Sequence, residues 1–153
     1  FTPAPDPEVL AKLQENGLTA ARAGDYAAAV PILREYLTGC RTDITTRRWL
    51  GFSLLRLGQP IQARVEFERV IREAKGDAFS QLLLGVCLLE TGKPNKATEI
   101  LADFNDPDRP EIQTLVQAQH GLLVAAPEDK AAEVLAALTA GAAGLTPPDV
   151  ASA

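Results

Sequence analysis

Small residues recur along this chain with a period of 34 residues. Three series share the interval: Gly17, Gly51 and Gly85; Gly24, Gly58 and Gly92; and Ala29, Ala63 and Ala97. Three independent series with one period indicate a structural repeat, because stacked copies of one unit place equivalent residues at equal spacing. The frame continues beyond residue 111 with Ala131, whereas Gln119 and Ala126 replace the two glycines. The chain therefore contains three clear repeats and a fourth, more divergent one.

Each unit is predicted to form two helices joined by a tight turn. Apolar residues follow a period near 3.6 on both sides of the second glycine, which is the spacing of an amphipathic helix. Gly58 and Gly92 stand where a residue at positive φ ends a helix at least cost. Pro60 and Pro94 follow and are suited to begin the next helix, since their missing N–H is not needed there. The pattern predicts an all-α fold.

Composition and charge narrow the classes of function. The chain has 153 residues, is 46% hydrophobic and carries a net charge of -5, which is typical of one soluble domain. An acidic balance disfavours binding to nucleic-acid phosphates. No apolar stretch reaches the roughly 18 residues that would indicate a membrane span. The start without methionine fits a mature exported protein and a cloned fragment equally, so the sequence leaves the compartment open between cytoplasmic and exported or periplasmic.

The spacing of small and large residues resembles the tetratricopeptide repeat. When the units are counted from Leu10, Ile44, Ala78 and Ile112, the first three carry glycine at positions 8 and 15, and all four carry alanine at position 20. Position 24 holds Leu33, Phe67, Leu101 and Leu135. The family's usual tryptophan at position 4 and proline at position 32 are missing. The resemblance implies a right-handed helical solenoid of four antiparallel helix-turn-helix repeats.

The same frame divides the chain. Residues 1–9 are expected to form an N-terminal tail and the start of the first helix, and residues 146–153 a C-terminal tail. The four repeats are placed at residues 10–43, 44–77, 78–111 and 112–145.

In this family the concave groove formed by the first helices holds partner segments, and the resemblance implies which residues face it here. These residues are Arg22, Arg48, Phe52, Leu55, Arg56, Phe79, Leu82, Val86, Leu89 and His120. The wall is mostly apolar from the second repeat onward, so a partner segment, an absent part of the parent chain or a second copy is expected to cover it. A tighter superhelix, in which Leu55 and Leu89 pack as core, is the alternative.

The charges of this predicted groove favour one kind of partner. Arg22, Arg48 and Arg56 add positive charge at its N-terminal half, which favours a partner with acidic residues beside its apolar anchors. An ordinary role as solubilising surface arginines is equally compatible with the sequence. The family's two-carboxylate clamp for chaperone tails is absent, because Gln14, Leu18, Trp49, Phe79 and Leu83 occupy its positions.

Residues that could support catalysis are few. The chain has one histidine, His120, and Gly141 to Gly144 lack the Lys-Ser/Thr of a phosphate-binding loop. Cys40 and Cys87 lie two units apart, too far for a disulfide or a shared metal in a solenoid, and are expected to be free thiols. We therefore expect no enzyme activity, no catalytic residues, no metal site and no cofactor.

The sequence favours a protein-interaction module, an adaptor or scaffold, that binds a partner peptide or helix in the groove. The alternative is a structural subunit that self-associates through the groove or its end faces. That alternative draws on the last helix, residues 128–140, where Val134 and Ala137 stand on the expected outer side. The identity of the partner, the organism, the oligomeric state and whether the chain is a fragment are left open.

Overall fold

A computed structural model describes residues 6–148, and within them all regular secondary structure is helical. Within these residues eight helices follow one another: α1 (Pro7–Arg22), α2 (Tyr26–Gly39), α3 (Ile44–Arg56), α4 (Pro60–Glu73), α5 (Ala78–Glu90), α6 (Pro94–Leu101), α7 (Pro110–Ala125) and α8 (Pro127–Ala142). Of the tails predicted at residues 1–9 and 146–153, residues 1–5 and 149–153 lie outside the described residues.

Prolines and aspartates fix where the helices begin. Proline is the first residue of α1, α4, α6, α7 and α8, which confirms the predicted starts at Pro60 and Pro94. Aspartates before three other helices cap them, because their carboxylates accept bonds from backbone N–H groups that no helical carbonyl satisfies. Asp43 accepts from Thr46 at 3.1 Å and Asp77 from Ser80 at 3.1 Å.

Glycine turns join the two helices of each of the first three pairs. Gly24, Gly58 and Gly92 have φ angles of 83°, 74° and 73°. These angles lie in the left-handed region, which glycine enters without a steric penalty. The prediction that these glycines end the first helices is confirmed.

The other glycine series allows the paired helices to approach closely. A Cβ atom on Gly51 would lie 2.9 Å from the ring of Phe67, and one on Gly85 would lie 3.0 Å from Leu101. Such distances are shorter than normal contacts between carbon atoms that are not bonded to each other. The large residue at position 24 therefore packs onto the bare backbone at position 8, which explains why both series keep the same period.

The pairs stack into the predicted all-α solenoid. Within pairs α1 packs on α2, α3 on α4, α5 on α6 and α7 on α8, while α2 packs on α3 and α4 on α5 between pairs. Buried apolar residues from all eight helices form one continuous core. The precise repeat limits drawn from the sequence remain a proposal.

The fourth pair departs from the regular arrangement. The second helix of the pair, α8, packs against α5 and α6. In a regular fourth repeat, the first helix of the pair would be expected to pack there. Two local features accompany the change: α6 has 8 residues, against 14 in α2 and α4, and Ala126 joins α7 to α8 with an extended φ of -156° in place of a glycine turn. Without the glycine turn, the last two helices meet with a different geometry.

Candidate functional site: an apolar pocket in the groove

A pocket of about 170 Å³ opens between two inner helices and the C-terminal end of α8. The inner helices α3 and α5 supply most of its apolar wall. Its lining consists of Phe52, Leu55, Arg56, Leu83, Val86, Glu90, Thr139, Ala142 and Ala143. A cavity of about 150 Å³ is known to hold a benzene ring, so this pocket has room for one aromatic or aliphatic side chain.

An aromatic cluster holds Phe52 in the wall of the pocket. The Phe52 ring lies edge-on to Tyr26 and Trp49, with ring centres 5.9 and 5.8 Å away, and tilted against Phe79 at 6.2 Å. Edge-to-face contacts at these distances stabilise ring pairs beyond their buried area. The wall is therefore preformed and rigid at this point.

Arg56 connects the wall to α8. Its guanidinium lies over the Phe52 ring, 5.0 Å from the ring centre, and its Nη2 donates a hydrogen bond of 3.2 Å to the carbonyl oxygen of Ala143. Ala143 caps the C-terminal end of α8, where a cation interacts favourably with the unpaired carbonyls. Glu90, on the next inner helix, also lines the pocket and places a carboxylate among its lining charges.

The structure brings four of the ten predicted groove residues together at this pocket. They are Phe52, Leu55, Arg56 and Val86. Phe79, Leu82 and Leu89 are buried within the helix packing instead. Leu55 is half-buried and Leu89 is buried, so Leu89 follows the tight-superhelix alternative.

Arg48 does not lie on the groove surface. Its side chain is completely buried and its guanidinium pairs with the carboxylate of Asp77, with Nε donating to Oδ2 at 3.1 Å. The expectation that Arg48 presents charge to a partner is wrong for this structure, because that charge is already neutralised inside the core. Arg22 is exposed and its guanidinium lies 5.7 Å from the centre of the Trp49 ring.

His120 also lies away from the pocket. Its Nε2 is 3.1 Å from the carbonyl oxygen of Thr98 in α6. The expectation that His120 continues the groove assumed a regular fourth repeat. Because α8 packs against α5, the face of α7 that carries His120 meets α6 instead.

The apolar wall is covered by the chain itself. In α5, every residue from Phe79 to Leu89 is buried, so no side of this part of the helix is left bare. This helix is packed by α4, α6 and α8 together. The tighter packing given as the alternative therefore holds for this part of α5, and within residues 6–148 the pocket beside the end of α8 remains open.

Sequence reasoning missed the α8 side of the pocket. Thr139, Ala142 and Ala143 line the pocket, although the sequence places them in the fourth repeat and outside the predicted groove. The replacement of the expected turn glycine by Ala126 was visible in the sequence and is the feature that accompanies the different geometry. Val134 is fully buried, so it gives no support to self-association through an exposed end face.

The two cysteines are free thiols, as predicted. Burial raises the pKa of the Cys87 thiol to about 12, and the negative charge of Glu90 adds to the rise. A thiol in that environment stays protonated and unreactive at neutral pH.

Across residues 6–148, no three His, Cys, Asp or Glu side chains are grouped as a metal ion would require. None of the helices in the same residues has both the length and the apolarity needed to cross a bilayer.

Comparison with known families agrees with the helix pairing. The tetratricopeptide repeat model matches residues 54–118, from the end of α3 into α7. The central part of the chain therefore carries the tetratricopeptide repeat pattern. The resemblance drawn from the glycine and alanine series is thereby confirmed. No curated protein sequence matches the chain significantly.

Two solved structures share the tetratricopeptide-type fold of this chain. One is the type III secretion chaperone SycD of Yersinia enterocolitica in complex with a peptide of the translocator YopD, with a TM-score of 0.64 and 16% sequence identity. The other is an alternative dimer of the same translocator chaperone, with a TM-score of 0.58 and 17% identity. Each match covers 89% of this chain and 96% of the other. At such identities the similarity is one of fold.

Proposed function

We propose that this chain is a protein-interaction module that binds a segment of a partner protein in its groove, without catalysing a reaction. One apolar side chain of the partner enters the pocket between α3, α5 and α8. The observation that carries this proposal is the pocket itself, a preformed cavity whose Leu55, Leu83 and Val86 side chains offer an apolar surface. Interfaces derive most of their binding free energy from a few such anchors in desolvated pockets.

The similarity in fold supports the same function. The crystal structure of the SycD chaperone contains a bound peptide, which shows that a chain of this architecture and length accommodates a peptide ligand. The two chains cover each other almost completely. The proposed ligand here is therefore also a peptide segment.

The charges beside the pocket favour a partner with an acidic residue next to its apolar anchor. Arg56 lines the pocket and Arg22 is exposed on the preceding inner helix. Exposed charges of this kind mainly accelerate association and select partners. Glu90 lines the same pocket and opposes a second acidic group beside it.

Selection from a display library of random linear peptides tests the proposal. Recovered peptides are measured by fluorescence anisotropy against the native chain and against Leu55→Glu. Leu55 is half-buried and lines the pocket, so a carboxylate at this position meets the anchor directly. We expect affinity to fall by about tenfold or more, since anchors at interface centres contribute about 2 kcal/mol.

Ile61→Glu is the matched control, because Ile61 is 69% exposed and does not line the pocket. Ile61→Glu changes charge and apolarity in the same way as Leu55→Glu, and it should leave peptide affinity unchanged. Equal binding by the native chain and Leu55→Glu, or a selection that yields no peptide dependent on Leu55, contradicts the proposal.

Self-association is the second candidate function. It is favoured by the dimeric structure of the SycD chaperone with the same fold. A second copy would then occupy the groove in place of a foreign partner. Light scattering coupled to size-exclusion chromatography separates the two, because only self-association gives a dimer mass that Leu55→Glu converts to a monomer mass.

A further inference from the structure

A second and larger cavity shares no lining residue with the groove pocket. It is a cleft of about 640 Å³ between the outer helices α2 and α4, with α3 as its floor. Five arginines line this arginine cleft: Arg34, Arg41, Arg47, Arg69 and Arg72. Its volume lies in the range of about 300 to 1,000 Å³ that is usual for small-ligand sites.

The acidic residues of the arginine cleft neutralise only part of this charge. Glu66 is 7% exposed, and its Oε1 lies 2.8 Å from Nη1 of Arg47 and 3.6 Å from Nη1 of Arg69. Glu73 is the other acidic residue in the lining. Five guanidinium groups therefore face two carboxylates, which leaves an excess of three positive charges.

The outer part of the arginine cleft holds the uncompensated cations. Arg41 and Arg72 are exposed, and within residues 6–148 neither forms an ion pair. Arg34 donates a hydrogen bond to the neutral amide of Gln62, which satisfies one N–H without reducing its charge. These three guanidinium groups are the ones available to an anion.

This concentration of charge is unusual for the chain that carries it. The protein has a net charge of -5, yet eight of its ten arginines fall between Arg34 and Arg72. Like charges around one cavity raise the free energy of the empty protein, and a bound anion removes that cost. All five cations are arginine, whose planar fork of N–H donors fits the oxygens of a phosphoryl group in pairs.

We propose that the arginine cleft binds a small ligand carrying phosphoryl groups. A phosphoryl group offers three acceptor oxygens and up to two negative charges, so two of them match the excess charge of the cleft better than a single carboxylate does. The site is separate from the groove pocket, because the two share no lining residue. It adds a small-molecule binding activity to the proposed interaction with a partner peptide.

Isothermal titration with inorganic pyrophosphate at fixed ionic strength tests this site. We expect saturable binding of one pyrophosphate per chain, weakened by about tenfold in Arg41→Gln and in Arg72→Gln, because each variant removes charge-assisted hydrogen bonds. Both residues are exposed, so the variants should fold normally. Lys96→Gln removes one exposed positive charge outside the arginine cleft and should bind like the native chain.

Two further ligands define the specificity. Tricarballylate, a tricarboxylate anion of similar charge, should bind at least tenfold more weakly than pyrophosphate. Equal binding of the two anions overturns the preference for phosphoryl groups. A titration that does not saturate overturns the proposed site, and so does equal weakening of pyrophosphate binding in Lys96→Gln and Arg41→Gln. Both outcomes indicate general ionic attraction. Leu55→Glu should bind pyrophosphate normally, so the peptide-groove proposal and the arginine-cleft proposal are tested independently.

Discussion

Arg48 and Asp77 form an ion pair that is completely buried between α3 and the start of α5. The same carboxylate caps α5 by accepting a hydrogen bond of 3.1 Å from the Ser80 backbone. One acidic side chain thus joins two neighbouring repeats and begins the second of two inner helices. The pair links α3 to the start of α5, and its burial explains why an arginine at a predicted groove position is not on the surface.

Arg48→Met should lower the free energy of unfolding by about 3 to 5 kcal/mol, because it leaves the Asp77 charge buried without its partner. Urea denaturation followed by circular dichroism measures the change. Arg56→Met is the control, since Arg56 is exposed and its loss should cost far less. A similar loss in both variants would contradict a special role for the buried pair.

Gly51→Ala and Gly121→Ala should change stability in opposite directions, although both glycines lie within helices. Alanine gains about 1 kcal/mol over glycine in a helix. At Gly121 a Cβ meets no atom within 4 Å, so that gain is expected in full. At Gly51 the Cβ would lie 2.9 Å from the Phe67 ring, and overpacking of about 1 to 3 kcal/mol should outweigh it. Urea unfolding compares the two, and stabilisation by both would contradict the close approach of α3 and α4.

These glycines also show what the sequence predicts well. Gly58 at a positive φ and Gly51 under Phe67 are requirements of the local backbone, so their spacing predicts the helix pairs directly. The place of α8 depends instead on how a divergent last pair packs on α5, and no local pattern encodes that. For this reason the repeat pattern places Phe52 and Val86 on the two helices that line the pocket, whereas it does not indicate Ala142.

The roles of the arginines are harder to predict from the sequence. Arg48 and Arg56 stand eight residues apart on the same helix, yet one is buried and the other exposed. What separates them is Asp77, which belongs to the next pair and reaches Arg48 only in the folded chain. The density of arginines between residues 34 and 72 was visible, but only the packing of α2 and α4 shows that they share a cleft.

Phe52→Ala should lower the free energy of unfolding by about 3 to 5 kcal/mol, as expected for a buried aromatic residue. Phe52 is 4% exposed and contacts three other rings. Leu55→Ala, one turn further and half-buried, should cost much less while weakening peptide binding. Thermal melting and fluorescence anisotropy on both variants give the comparison. If Phe52→Ala melts like the native chain, the ring is an exposed anchor and the core assignment is wrong.

Stability should fall in alkaline solution through Cys87. Burial raises the pKa of this thiol from 9.0 to about 12, so between these values the unfolded chain loses its thiol proton while the folded chain retains it. The unfolded state then binds fewer protons, and the free energy of unfolding decreases as the pH rises. The stabilising contribution is complete below about pH 9 and is lost toward pH 12.

Cys87→Ala removes this contribution and serves as the comparison for other alkaline groups. Unfolding free energies are measured in urea between pH 8 and 11, with the native chain expected to lose more stability over this range than the variant. Parallel curves would show that the Cys87 thiol ionises as easily in the folded chain as in the unfolded one. In native protein at neutral pH, a thiol reagent should modify the half-buried Cys40 before Cys87.

Ala142→Leu should stabilise the protein and block peptide binding together. Ala142 lines the pocket of about 170 Å³ from the α8 side, so a larger side chain is expected to fill the space that the partner's anchor would use. Cavity filling typically adds about 0.5 to 2 kcal/mol of stability. Ala140→Leu is the control, because Ala140 is exposed on the same helix and does not line the pocket. Melting temperature and peptide anisotropy are measured for both. Native affinity in a more stable Ala142→Leu variant would show that the peptide binds elsewhere, and a loss of stability would show that the pocket has no free volume to fill.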